Sequence, residues 1–204
     1  MIGIINFGYG NIQSITNALN DSGIKSKVLS ESKEVKNFDK LILPGVGSFK
    51  TCFEKLVEYG WKSEIQNHID KKNYLLGICL GMQLMFEWGE EDGGSQGLGI
   101  FKGEVKKIEI NKFEKLPHVG WNNIKLEKKN ELFNGTNYDV DYYFIHSFEC
   151  LPKNKSEIIA TTEFGNNKKI IASVSNHKNI YGTQFHPEKS PPNGLKILKN
   201  FNNL

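Results

Sequence analysis

The stretch LLGICLGMQ, residues 75–83, passes from an apolar run to an amphipathic one, with a cysteine between two glycines at the change. The apolar part predicts a buried strand at 74–78, and the spacing that follows predicts a helix at 80–88. A buried strand that turns at once into a helix is typical of α/β proteins with a parallel sheet. This stretch therefore indicates the fold class.

The rest of the first half repeats the alternation of strands and helices. In chain order it predicts strand 2–7, helix 11–22, strand 27–29, strand 40–43, helix 49–59 and helix 63–71. Because parallel strands need crossover connections, this order predicts a parallel sheet covered by helices on both faces.

The second half is rich in β-forming segments separated by Asn, Gly, Lys and Pro. They lie at 103–110, 118–126, 141–148, 157–164, 169–175 and 179–185, and a final helix is predicted at 193–201. Such segments add antiparallel strands at one edge of a mainly parallel sheet. No repeat or linker interrupts the chain, so we predict a single domain over residues 1–204 with a mixed central sheet.

The composition excludes several classes of function. Hydrophobic residues are 38% and charged residues 24% of the 204, and the net charge of +3 comes from scattered lysines, so neither nucleic acid nor a membrane is an expected partner. The sequence has no metal-ligand spacing, P-loop or dinucleotide fingerprint, so we expect no metal and no cofactor. Cys52, Cys79 and Cys150 are expected to be free thiols of a cytoplasmic protein.

The segment from Gly77 to Gly81 has the form glycine–x–nucleophile–x–glycine. A sharp strand-to-helix turn strains the backbone at its centre, and side chains two residues away on either side would collide. The following helix would direct free N–H groups, first that of Leu80, at the sulfur of Cys79 or at an oxyanion. A buried cysteine at a tight turn explains the same pattern, and a nucleophile also needs a base.

His186 and Glu188 supply a candidate base and its partner. His186 follows an apolar strand in GTQFHPEKS, residues 182–190. Alternation in an extended chain places positions 186 and 188 on one side, so the carboxylate can hold the second imidazole nitrogen. Taken singly, each is better explained as a surface residue. Together with Cys79, however, they form a nucleophile–base–acid set.

These motifs resemble the class I glutamine amidotransferases. Further stretches resemble the glutaminase subunits of imidazole glycerol phosphate synthases, and this resemblance extends over essentially the whole chain. It is carried by NFGYGN (6–11), LILPGVGSF (41–49), GICLGMQ (77–83), QGLGIFKG (96–103), PHVGWN (117–122), YYFIHSF (142–148) and GTQFHPEKS (182–190).

The resemblance implies a flavodoxin-like, three-layer α/β fold and hydrolysis of glutamine to glutamate and ammonia through a cysteinyl thioester. It implies Cys79 as nucleophile, His186 as base and acid, and Glu188 as the orienting carboxylate. The remaining implied site residues are Val46, Gly47 and Leu80 in the oxyanion hole, and Gly45, Gly47, Gln83, Glu91, Ser147 and Phe148 against glutamine.

The resemblance also implies a heterodimer with a (β/α)₈-barrel cyclase-type subunit that receives the ammonia. The residues implied at that interface are His118, Val119, Trp121, Asn122 and Tyr143. From the sequence alone, Trp121 and Tyr143 are explained equally well as core aromatics.

Two departures from the family pattern keep alternatives open. Asn6 and Phe7 stand where the family usually has an acidic residue and tyrosine, and Trp88 and Gly89 replace small polar or acidic residues. Histidine biosynthesis is the favoured role. A paralogue that supplies ammonia to a surface-sugar amidotransferase fits the same chemistry. A free-standing Cys–His hydrolase or peptidase, or a silent binding module, is the third hypothesis.

Overall fold

The computed structural model describes residues 1–137, 140–165 and 168–204. Its helices are α1 (Ile12–Asp21), α2 (Phe49–Glu58), α3 (Trp61–Asp70), α4 (Leu80–Leu84) and α5 (Asn193–Asn203). Within the described ranges, no helix is both long and apolar enough to cross a membrane. The strands are β1 (Ile2–Ile5), β2 (Ser26–Leu29), β3 (Lys40–Leu43), β4 (Tyr74–Ile78), β5 (Phe86–Gly89), β6 (Ser95–Gln96), β7 (Phe101–Lys107), β8 (His118–Asn122), β9 (Ile124–Leu126), β10 (Tyr142–His146), β11 (Phe148–Pro152), β12 (Ile158–Phe164), β13 (Lys168–Ser175) and β14 (Ile180–Thr183).

A central sheet of eight strands has the order β2-β1-β3-β4-β14-β13-β12-β9. The first five strands are parallel, and β13, β12 and β9 continue the sheet with antiparallel pairing. The predicted α/β fold, with a mainly parallel sheet and an antiparallel edge, is confirmed. A smaller sheet joins β11, β7, β5 and β6, and an antiparallel ribbon joins β8 and β10.

Both faces of the parallel strands are buried, as helices on two sides require. All four residues of β1 are buried. Ile4 packs into a cluster with apolar residues of α1 and α5, whereas Ile5 packs into a second cluster with residues of α2 and α3. The continuous apolar run at the start of the chain is therefore a strand between two helical layers.

The sheet order places the candidate catalytic residues side by side. β4 and β14 are parallel neighbours, with Ile78 opposite Thr183. Cys79 follows β4 directly and donates its N–H to the Thr183 carbonyl at 2.7 Å. The segment that carries His186 leaves β14 at the same edge of the sheet, where α/β proteins bind their ligands.

The predicted helix at 80–88 was wrong in its second half. α4 ends at Leu84, and residues 86–89 form β5. The returning chain makes the difference, because the N–H groups of Leu98 and Ile100 donate to the carbonyls of Leu84 and Met85, each at 2.8 Å. β5 then pairs with β7, so tertiary pairing overrides the helical spacing.

Gly81 allows α4 to lie against the end of β3, and its replacement tests that contact. A Cβ at this position would overlap the carbonyl oxygen of Leu43. We expect Gly81→Ala to lower the free energy of unfolding by roughly 3 kcal/mol, since overpacking against backbone cannot be relieved by a rotamer change. Urea denaturation followed by circular dichroism measures the loss.

Gly23→Ala is the matched control for this prediction. Gly23 has φ +71°, but a Cβ there would meet open space. Gly23→Ala should therefore lower the free energy of unfolding by only about 1 kcal/mol, the cost of backbone strain alone. Equal losses for the two variants would contradict the proposed close contact at Gly81.

Candidate active site

Cys79 stands at the strained centre of the turn between β4 and α4. Its backbone has φ 54° and ψ −114°, a conformation that residues other than glycine rarely adopt. The flanking glycines explain how it is reached, since a Cβ on Gly77 would lie 2.8 Å from the carbonyl carbon of Gly81. The predicted nucleophile elbow is therefore present as a backbone geometry. α4 has only five residues, so its dipole is confined to one short turn.

His186 and Glu188 form a buried pair beside this turn. The Nδ1 of His186 donates to Oε1 of Glu188 at 2.7 Å, and their side chains are 5% and 0% exposed. Burial lowers the pKa of His186, but the nearby Cys79 and the hydrogen-bonded Glu188 carboxylate outweigh it and raise the pKa to about 10. The imidazole is thus a cation at neutral pH. Its Nε2 has no hydrogen-bond partner among the described residues, which leaves it free to serve a reacting group.

A cavity of about 300 Å³ opens over Cys79. This volume suits a ligand of amino-acid size. The expected oxyanion and glutamine-binding residues all line it, whereas Glu188 lies behind His186. The lining residues are Gly45, Val46, Gly47, Cys79, Leu80, Gln83, Glu91, Pro117, Ile145, His146, Ser147, Phe148 and His186.

The polar groups of the cavity are held by neighbouring segments. Gln83 Nε2 donates to the Phe148 carbonyl at 3.1 Å and to Gln184 Oε1 at 3.0 Å, so this side chain ties α4 to β11 and to the end of β14. Glu91 Oε2 accepts the N–H of Phe49 at 2.7 Å, and burial raises the pKa of Glu91. Gly47 has φ +108°, a conformation that favours glycine.

Sequence reasoning missed several groups at the sulfur. The Cys79 sulfur lies 3.8 Å from the carbonyl oxygen of Ile145, and Gln184 Nε2 donates to the sulfur at 3.7 Å. Gln184 is fully buried two positions before His186. The same alternation that linked positions 186 and 188 would have pointed to 184. Ile145 acts through its backbone, which side-chain identity does not reveal.

The residues expected at the partner interface lie on opposite faces of the ribbon formed by β8 and β10. Val119 and Trp121 are each 54% exposed, and Tyr143, opposite Trp121, meets its ring with centroids 5.6 Å apart. His118, however, is 4% exposed, so its side chain does not share the outer face of the ribbon with Val119 and Trp121. The two-residue period of a strand turns positions 118 and 122 inward when 119 and 121 face outward. Asn122 accordingly contacts His118 with its side chain.

Comparison with known proteins identifies the family of the chain. The family model described as glutamine amidotransferase class-I matches residues 3–203. A relative from Caldanaerobacter subterraneus subsp. tengcongensis, named imidazole glycerol phosphate synthase subunit HisH, is 45% identical over 204 residues, which cover 100% of this chain and 98% of the relative. A protein of the same name from Methanocaldococcus jannaschii is 44% identical over 201 residues, 98% of each chain.

Among solved structures, PurLQS from Thermotoga maritima superposes with a TM-score of 0.77 at 17% sequence identity, covering 99% of this chain and 97% of the other. At that sequence identity the match supports a shared fold and nothing further. The family model and the two relatives go further, since they match along the chain in sequence. The chain belongs to the class I glutamine amidotransferase family.

Proposed function

We propose that this chain is a glutaminase subunit that hydrolyses the side-chain amide of glutamine and passes the ammonia to a synthase partner. The observation that carries the proposal is a cysteine at a strained turn, beside an imidazolium held by a buried carboxylate, on the floor of a cavity of about 300 Å³. The chain's place in the amidotransferase family supplies the substrate class.

In the first half-reaction the Cys79 sulfur, as a thiolate beside the His186 imidazolium, attacks the carboxamide carbon of glutamine. The oxyanion that forms is held by the N–H groups of Leu80 and Val46, with Gly47 beside it. His186 then gives its Nε2 proton to the departing nitrogen, the C–N bond breaks, and ammonia leaves a glutamyl thioester on Cys79. Covalent catalysis in this way divides one difficult hydrolysis into two easier steps.

In the second half-reaction, neutral His186 takes a proton from water as the water oxygen attacks the thioester carbonyl. The C–S bond breaks, glutamate forms, and the thiolate–imidazolium pair is restored. Glu188 holds the imidazole in one orientation through its 2.7 Å hydrogen bond and stabilises the cation. Its role is thus to fix the ring and to favour its charged form.

The other cavity residues place the substrate. The Glu91 carboxylate offers a negative charge to the α-ammonium group of glutamine. The backbone at Ser147 and Phe148, together with Gly45 and Gly47, borders the rest of the ligand. Gln83 lines the cavity and also contacts Phe148 and Gln184, so we assign it both to contacting glutamine and to holding this border in place.

The outer face of the ribbon is proposed as the partner surface. Val119, Trp121 and Ile145 are exposed apolar side chains on that face, with Tyr143 among them. The ribbon also touches the catalytic segment, since the His186 N–H donates to the Tyr143 carbonyl at 2.9 Å. A (β/α)₈-barrel cyclase subunit docked here would form a heterodimer and could receive ammonia directly, as neutral ammonia rather than ammonium.

The pathway follows from the named relatives. Both are subunits of imidazole glycerol phosphate synthase, which favours histidine biosynthesis over ammonia supply to a surface-sugar amidotransferase. Three buried free thiols suit the reducing cytoplasm, where we place the protein.

Cysteine labelling tests the nucleophile directly. Burial raises the pKa of Cys52 to about 12 and that of Cys150 well above its ordinary value, so both remain unreactive thiols near neutral pH. An alkylating glutamine analogue should therefore modify Cys79 alone, seen as one adduct by mass spectrometry. Cys79→Ala should take no label and lose at least roughly 10³-fold in glutamate release, measured with a candidate cyclase barrel present.

Cys150→Ala is the matched control and should keep both the adduct and the turnover. Adducts on Cys52 or Cys150 in the wild type, or glutamate release by Cys79→Ala, would contradict the assignment of the nucleophile.

The role of Glu188 predicts a change in pH dependence. Its carboxylate helps to raise the pKa of His186, which lies at about 10. Glu188→Gln should lower that pKa, so the imidazolium is lost at lower pH and the alkaline limb of kcat/KM moves down the pH scale. Glutamate release measured between pH 6 and 10.5 gives the profile. The control is Glu104→Gln, which removes a carboxylate paired with Lys106 on the surface and should leave the alkaline limb in place. An unmoved limb in Glu188→Gln would contradict the proposed role of Glu188.

The partner surface predicts an unequal effect of two exposed tryptophans. Trp121→Ala should weaken binding of a candidate cyclase barrel by about 30-fold or more, because a central aromatic anchor typically contributes 2 kcal/mol or more. Trp88 is 43% exposed on β5, outside the ribbon, and Trp88→Ala should change the affinity by less than about twofold. Surface plasmon resonance measures both dissociation constants. An equal loss in the two variants would move the interface away from the ribbon.

A further inference from the structure

A line of polar side chains, two buried histidines and a half-buried asparagine, runs beneath the ribbon to the proposed substrate cavity. His118 Nε2 lies 2.9 Å from Asn122 Oδ1, and His118 Nδ1 lies 3.0 Å from His146 Nε2. His146 Nδ1 lies 2.8 Å from the carbonyl oxygen of Phe148, which lines the cavity. At the other end, the Asn122 side chain contacts the Glu163 carbonyl at 3.2 Å. We call this line the imidazole chain.

The number of protons available determines how the imidazole chain is ordered. A neutral histidine and an asparagine each offer one donor side and one acceptor side. The line ends at a carbonyl oxygen on each side, and carbonyl oxygens only accept. Four contacts must therefore be made with only three donor sides, one each from His146, His118 and Asn122. With neutral rings, one contact in the line therefore lacks a proton.

Burial decides which contact that is. It lowers the pKa of His118, and burial together with the positive charge of His186 lowers the pKa of His146 to about 3. Both rings are thus neutral. The carbonyl of Phe148 requires a proton on His146 Nδ1, so His118 must donate from its own Nδ1. A half-turn of the Asn122 carboxamide then presents Nδ2 to His118, and the missing proton falls at the solvent-exposed Glu163 contact, where water can replace it.

The imidazole chain and Gln83 hold the same carbonyl from two sides. The Phe148 oxygen accepts from His146 Nδ1 at 2.8 Å and from Gln83 Nε2 at 3.1 Å. Gln83 belongs to the helix after the nucleophile, whereas His118 and Asn122 belong to β8. The His118 ring is also packed against Phe144 and Phe164, with centroids 5.1 Å and 4.8 Å away. Its position and its direction of donation are therefore both fixed.

We propose that His118 and Asn122 are positioning residues, which hold the Ser147–Phe148 backbone in the conformation that binds the substrate. The proposal rests on the proposed function in taking that substrate to be glutamine. It gives the two faces of β8 different tasks: the outer face meets the partner, and the inner face sets the affinity for glutamine.

The test separates substrate binding from the reactivity of the nucleophile. His118→Phe keeps the aromatic packing and removes both hydrogen bonds. In a Cys79→Ala background, it should raise the dissociation constant of glutamine about tenfold by calorimetry. In the chain with Cys79 intact, the rate of alkylation by iodoacetamide should stay within twofold. His118→Gln keeps one donor and one acceptor and should recover most of the affinity.

The matched control is another buried histidine with a carbonyl partner. His68 is 2% exposed, and its Nε2 lies 2.9 Å from the Tyr74 carbonyl, away from the cavity. His68→Phe should lower the melting temperature but leave glutamine affinity unchanged. Equal losses of affinity in His68→Phe and His118→Phe would show a general loss of structure and overturn the positioning role.

A spectroscopic readout tests the order of the imidazole chain without substrate. In ¹⁵N-histidine spectra of the full chain, His118 and His146 should both be neutral and protonated on Nδ1 from pH 7 to 8. An Nε2-protonated ring or titration in this range would overturn the ordering. Unchanged glutamine affinity in His118→Phe would overturn the positioning role alone, whereas no glutamine binding in the parent Cys79→Ala chain would contradict the proposed function itself.

Discussion

The strained backbone at Cys79 is the constraint on which the site depends. A residue held in such a conformation costs about 1–3 kcal/mol and persists only where the surroundings over-determine it. Here the N–H of Cys79 is fixed to Thr183 on the neighbouring strand, and α4 is fixed against the end of β3 through Gly81. The central sheet thus holds the turn from both sides. The position of the sulfur, and with it the geometry of every group around it, follows from these backbone contacts rather than from side-chain packing.

Two histidines on the same cavity have their pKa values shifted in opposite directions. The pKa of His186 is raised to about 10 despite burial, because this ring faces Cys79 and Glu188. The pKa of His146 is lowered to about 3, because burial is not offset by a carboxylate. The charge on His186 itself helps to keep His146 neutral. Separating two titratable groups in this way supports the roles proposed for them: His186 can carry a proton to a reacting group, whereas His146 can only donate or accept a fixed hydrogen bond.

The fold was largely predictable because its signals are local. Apolar runs predict β1, β3 and β4, and the glycines around Cys79 predict the sharp turn there. The spacing of two residues links His186 to Glu188. Residues 86–89 were not predictable in the same way, because they become a strand only when the chain from β7 returns to pair with them. Gln184 was within reach of the alternation argument. The carbonyl of Ile145 was not, since any residue supplies that atom and only the tertiary structure brings it to the sulfur.

The partner surface and the substrate cavity are linked by the geometry of a single strand. On β8, Val119 and Trp121 point outward while His118 and Asn122 point inward, because successive side chains of a strand alternate between faces. A partner that shifts or steadies the outer face moves the same backbone that carries the inner one. Through β10 the ribbon also contacts His186, whose N–H is bonded to Tyr143. Docking at the proposed partner surface would therefore reach the proposed active site by two short physical routes, one to the Phe148 backbone and one to the His186 imidazole. Neither route needs a rearrangement of the central sheet.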